Sequence, residues 1–116
     1  INEIKISCYF ILSNFATGTN DQNLYMIKTY PVLKYIENEI LNNNLKIFIS
    51  ILWFMSNLIA SNQEVLIKYT SKELLQKIFE KIYRLISTKE IADTGIWMIL
   101  NILKVEPDDF DIDVIL

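Results

Sequence analysis

Residues 53–57 read WFMSN, inside a run that is otherwise Ile, Leu and Phe. Trp53 and Asn57 stand four apart, so a helix puts them on one face. An amide is a poor guest in an apolar helix and needs a hydrogen-bond partner when buried. The pattern recurs. KIFISILWFMSNLI (46–59) aligns with EIKISCYFILSNFA (3–16) and with EIADTGIWMILNIL (90–103). The aromatic falls at Phe10, Trp53 and Trp97, and the amide at Asn14, Asn57 and Asn101, with spacings of 43 and 44 residues. Ile4, Ile47 and Ile91 coincide, as do Ser7, Ser50 and Thr94, then Leu12, Met55 and Ile99. Three aromatic–x-x-x–Asn pairs with matching flanks make an internal repeat.

The stretches between these segments repeat as well. DQNLYMIKT (21–29) and NQEVLIKYT (62–70) are short and amphipathic, each opening on an Asp or Asn suited to capping a helix. PVLKYIENEILNN (31–43) opens with Pro31, which a first helical turn tolerates. SKELLQKIFEKIYRLIS (71–87) opens on Ser71, a good cap, with Glu73 near the positive end of the dipole. There Leu74, Leu75, Ile78, Ile82 and Leu85 follow 3–4 spacing, which assigns Lys72, Gln76, Lys77, Glu80, Lys81 and Arg84 to the other faces. The unit is a short, a medium and a long helix, with long helices expected over 2–17, 45–60 and 89–105. The period matches the roughly 40–47 residues of HEAT and armadillo units, and three helices per unit favours armadillo.

The expected fold is therefore all-α, a single armadillo-repeat right-handed superhelix. Residues 1–18 are read as the last helix of one repeat, 19–61 and 62–105 as two full repeats, and 106–116 as the start of another. A solenoid this short leaves apolar end faces open. The chain thus reads as a slice of a longer array, or as a piece capped by a partner.

Composition sets the other bounds. The chain is 52% hydrophobic with two Gly and two Pro, which suits long helices and argues against both many short strands and disorder. Net charge is −3, with five of the 14 acids crowded into 106–113 and no basic block, so nucleic acid is not an expected partner. The oiliest run, IFISILWFMSNLIA (47–60), is interrupted by Ser56 and Asn57 and reads as a buried helix, so no membrane partner is expected. Cys8 is the single cysteine, which excludes an internal disulfide, suits a reducing compartment and is expected as a small buried hydrophobe. With no His and no glycine-rich phosphate loop, neither an enzyme, a cofactor, a metal nor a small-molecule substrate is expected. Gly18 is expected to end the first long helix as its C-cap.

FILSNFATGTNDQ (10–22), WFMSNLIA (53–60) and WMILNIL (97–103) resemble the third-helix W-x-x-x-N motifs of importin-α (karyopherin-α) armadillo repeats. SNFATGTNDQ is similar to the S/T-N-I-A-S-G-T-x-x-Q stretch of that family's second repeat. The resemblance implies a module for nuclear import that holds Lys/Arg-rich nuclear localisation signals in a concave groove. It implies residence in cytoplasm and nucleus, with importin-β as a further partner. By motif, Asn14, Asn57 and Asn101 would clamp a peptide backbone, since an amide both donates and accepts. Trp53 and Trp97 would wall slots for lysine stems, with cation–π attraction at the ammonium, and Phe10 would be a smaller wall. Gly18 would leave room for the most deeply bound lysine, and Asn23 stands where the family has a Thr near that pocket. Ser61 replaces the family's acid after the second motif, a counter-ion whose loss costs about 2–5 kcal/mol of binding. The nearest acids are then Glu64 and Asp93, the latter on the face of Trp97. Two readings stand: a cargo-binding module, or a scaffold in which each amide bonds to a neighbouring repeat's backbone.

Overall fold

A computed structural model describes residues 1–104; the repeat start expected at 106–116 lies outside the described residues. Every regular element among the described residues is helical: α1 (Asn2–Ala16), α2 (Asn20–Thr29), α3 (Val32–Glu39), α4 (Leu45–Ser61), a π turn (Val65–Tyr69), α5 (Lys72–Arg84) and α6 (Lys89–Leu103). The long helices α1, α4 and α6 fall within two residues of the ends that the repeat predicts.

Local chemistry sets the boundaries. Thr17 closes α1, its hydroxyl donating to the Asn14 carbonyl at 2.7 Å. Thr19 then starts α2 in a capping box: its hydroxyl accepts from the Gln22 N–H, and its N–H donates to Gln22 Oε1, both at 3.2 Å. The cap is Thr19 and not Asp21, which sits in the first turn. Gly18, between the two helices, does not take the left-handed C-cap conformation. Its role is space, since a Cβ there would run into Gln22 Oε1 and disturb the box. Asn44 caps α4 and Ser71 caps α5, each accepting the N–H three residues on, at 3.1 Å. The second repeat's short piece begins as expected, with Asn62 Oδ1 accepting the Glu64 N–H at 3.0 Å, but it winds into the π turn instead of a ten-residue helix.

α4 packs against α1 on one side and α6 on the other. The N-terminal ends of α1 and α4 meet around Glu3, Ile6 and Lys46, and their C-terminal halves are joined by an Asn57–Ser13 hydrogen bond, so the two run parallel. The same argument from Lys46, Glu90 and the Asn101–Ser56 bond makes α6 parallel to α4. Ile51, Leu52, Phe54, Met55, Leu58 and Ile59 of α4 are fully buried. Each such side chain contributes roughly 1.5–3 kcal/mol by leaving water. Leu74, Leu75, Ile78 and Ile82 of α5 face this core. Gly95 lets α6 approach α5, since a Cβ there would stand 2.9 Å from Ile82 Cγ2.

Lys81 and Cys8 also depart from their expected places. Lys81 is buried, not solvated. Its ammonium donates to the carbonyls of Ile40 (2.7 Å) and Asn42 (2.6 Å), which lie just past the end of α3, and stands 4.9 Å from the centre of the Phe48 ring. The 3–4 apolar stripe of α5 is wide enough to take Lys81 inside, and the orphan carbonyls beyond α3 supply the partners an ammonium needs. Cys8 is free and exposed, at the rim of a concavity of about 400 Å³ between α1 and α3 that Tyr9, Leu12, Val32 and Tyr35 also line. Among the described residues no helix is long and apolar enough to cross a membrane.

Candidate functional site

The aromatic rungs stay on the surface. Phe10 is 48% exposed, Trp53 41% and Trp97 43%, each at the same position of parallel neighbouring helices. Every turn of those helices brings i, i+4 and i+7 to one face. That face therefore carries Ile6, Ile49 and Asp93 one turn before the aromatics. Two turns before them it carries Glu3, Lys46 and Glu90.

The amide rungs behave differently. Asn57 Nδ2 donates to the Ser13 carbonyl of α1 at 3.4 Å, and Asn101 Nδ2 to the Ser56 carbonyl of α4 at 3.2 Å. Each bond crosses one repeat and lands one residue before the previous rung's Asn. Asn101 is closed off, at 2% exposure with its Oδ1 buried and without a partner, so it is not placed to clamp a peptide. Asn57 is half-buried and Asn14 is exposed.

Asn23 does not reach this face. It is fully buried, and its Nδ2 donates to the Ala16 carbonyl at 2.9 Å, which ties α2 to the end of α1. Gly18 is exposed but serves the Thr19–Gln22 capping box. The two candidate counter-ions are already engaged. Asp93 accepts from Lys89 at 3.0 Å, and that bond raises the Lys89 pKa. Glu64 accepts from Lys68 at 2.7 Å, which holds the Glu64 carboxyl below its usual range.

The structure adds residues that the sequence reading passed over. A concavity of about 220 Å³ lies on the aromatic face, lined by Ile6, Phe10, Lys46, Ile49 and Glu90 from all three long helices. Glu90 is exposed and belongs to no ion pair among the described residues. It stands seven residues before Trp97, so following that face back two turns finds it. Lys104 places its ammonium 5.8 Å from the centre of the Trp97 ring. This is cation–π distance, so the chain's own lysine occupies one indole.

The site is thus an aromatic, aliphatic and mixed-charge strip over three parallel helices, with its amide rungs largely turned inward. Comparisons of the chain with protein-family models, with curated proteins and with solved structures each find no match.

Proposed function

We propose that the chain is an armadillo-type solenoid module whose Phe10–Trp53–Trp97 face holds an extended, lysine-bearing peptide of the nuclear localisation type. One observation carries the reading: three rings at one repeat position stay open to solvent, while α4, between its neighbours, is closed almost all round. Lys104 over Trp97 supports the chemistry, since an ammonium already rests on one indole of the set. Asn14 and Asn57 serve as backbone clamps, because Asn57 spends one N–H on Ser13 and keeps a carbonyl and a second N–H. Glu90 takes the place of the missing acid after Asn57. Lys46 beside it lowers the local negative charge, so binding is modest and salt-sensitive. Such a module works between cytoplasm and nucleus.

The test is a titration with a lysine-rich signal peptide, followed by Trp fluorescence. A saturable change at sub-millimolar peptide is expected, weakened by salt, lost in Trp53→Ala and absent with a peptide whose lysines are replaced by glutamines. No saturable change below millimolar peptide sinks the reading.

The Asn57 and Asn101 bonds favour a second reading, a scaffold whose amides fix the register of neighbouring helices. On that reading Asn57→Ala lowers stability and changes no peptide affinity.

A further inference from the structure

We propose that the concavity between the α3–α4 turn and the end of α5 is a binding site for a carboxylate that carries a short aliphatic body. It shares no residue with the concavity of the aromatic face and stands apart from whatever that face binds.

The concavity measures about 310 Å³, at the small end of the roughly 300–1,000 Å³ of small-molecule sites. Its walls are aliphatic, from Ile40, Leu41, Leu45 and Leu85, and its charged members are Lys81 and Arg84. No carboxylate lines it. Arg84 is exposed and belongs to no ion pair among the described residues, although Glu80 stands one turn before it. Lys81 is buried and spends two of its three donors on the Ile40 and Asn42 carbonyls, which leaves one. The two cations feel each other: after burial, the Arg84 charge is the second cause that lowers the Lys81 pKa. Arg84 in the last turn of α5 suits the negative end of the helix dipole. That accounts for one cation, and not for a second turned inward beside an open space. Two like charges that share a lining without an acid call for an anion.

The surroundings select the kind of anion. A guanidinium fork meets the two oxygens of a carboxylate at once, and the spare Lys81 donor adds a charge-assisted bond. A dianion is disfavoured, because the Ile40 and Asn42 carbonyl oxygens crowd the Lys81 ammonium and already offset part of its charge. The aliphatic walls favour an apolar body over a bare inorganic ion. Leu41 is 72% exposed and Leu45 38%, and both lose contact with water when such a body fills the space. A free short-chain fatty acid and a peptide chain end with an aliphatic last residue share this chemistry.

The experiment titrates hexanoate into the isotope-labelled full chain and follows the amide resonances at constant ionic strength. Saturable shifts at millimolar hexanoate are expected, confined to residues 40–45 and 81–85. Hexanamide keeps the chain without the charge, and inorganic phosphate keeps charge without the chain. Neither is expected to saturate in this range. Arg84→Gln is expected to weaken hexanoate binding about tenfold, the loss of one charge-assisted pair. Asn43→Asp adds a carboxylate to the lining and is expected to abolish binding. Both sites are exposed, so the fold survives, which the helical circular dichroism signal checks. N-acetyl-leucine binding more tightly than hexanoate assigns the site to a peptide end, and the reverse order to a free acid. Hexanamide binding as well as hexanoate overturns the proposal, since the concavity is then merely apolar. So does phosphate that matches hexanoate, or hexanoate binding left intact in Arg84→Gln or Asn43→Asp. The absence of any saturable shift up to the solubility limit of hexanoate overturns it too.

Discussion

α4 and α1 carry the same repeat unit and meet opposite fates. Phe54 is fully buried in α4, while Ile11, at the same repeat position, is 67% exposed on α1. Nothing in their local sequences separates them, since both helices are apolar on several sides. The difference is the number of neighbours: α4 has a long helix on each flank and α1 on one. In a stack of repeats, stability belongs to interfaces between units more than to any unit alone. The energetic weight of a residue is then read from its place in the stack and not from its type.

The strongest way to break this comparison is to truncate the paired positions. Phe54→Ala is expected to cost about 3–5 kcal/mol, because the side chain is wholly enclosed and its removal leaves a cavity. Ile11→Ala in dilute solution is expected to stay within about 0.5 kcal/mol, as for other exposed positions. Urea unfolding of the two variants beside wild type measures both. Equal losses would mean that α1 is as enclosed as α4 and would undo the comparison.

A second contrast lies along one helix. Lys77 and Lys81 are a turn apart on α5, and both reach toward α3. Lys77 meets Glu37 at 3.5 Å with both side chains partly in water, whereas Lys81 is buried on two carbonyls. Lys81→Met keeps the stem and removes the donor, leaving the Ile40 and Asn42 carbonyls without it. A loss of about 1.5–3 kcal/mol is expected, the range for hydrogen bonds to a charged group. Lys77→Met is expected to change stability by less than about 0.5 kcal/mol. Thermal unfolding of both variants checks the pair, and a Lys81→Met as stable as wild type would show that the carbonyls find water instead.

The amide rungs give a smaller version of the first contrast. Asn101→Ala removes a bond between α6 and α4 and is expected to cost about 1 kcal/mol. Asn14→Ala, at the exposed end of the same series, is expected to cost nothing measurable in dilute chain. If both are neutral, the register is held by side-chain packing alone.

The three long helices were legible because the sequence states them three times. A boundary that one copy blurs, another copy fixes. The aromatic and amide rungs were legible as positions for the same reason. Their roles were not. Whether an amide in a helix grips a partner or a neighbour depends on a carbonyl 44 or 45 residues away, at Ser13 or Ser56. Lys81 was hidden likewise, since its acceptors lie in the Asn-rich turn beyond α3, about 40 residues distant. Cys8 misled in the opposite sense: its apolar surroundings in sequence imply burial, but α3 approaches only closely enough to leave it at the rim of an open concavity. Glu90 was readable, since its spacing of seven from Trp97 is local.

The smallest expected effect is one of pH, and it again separates the enclosed Lys81 from lysines paired with carboxylates. Burial, followed by the nearby Arg84 charge, pushes the Lys81 pKa below 10.5 in the folded chain. Between that lowered value and 10.5 the unfolded chain binds more protons than the folded one, so the Lys81 contribution to stability rises with pH across this window. Lys5, Lys68 and Lys89 run the other way. Hydrogen bonds to Glu39, Glu64 and Asp93 raise their pKa values, so their contribution is fully present below 10.5 and is lost as pH climbs through the raised values. Urea unfolding of wild type and Lys81→Met from neutral pH to about 10.5 is therefore expected to show wild type gaining on the variant as pH rises. Above that value both are expected to lose stability together, since the three lysine–carboxylate pairs are intact in each. A gap that stays constant up to 10.5 would mean that the two carbonyls and the Phe48 ring hold the Lys81 ammonium as firmly as water does, and the enclosed lysine would then titrate like an open one.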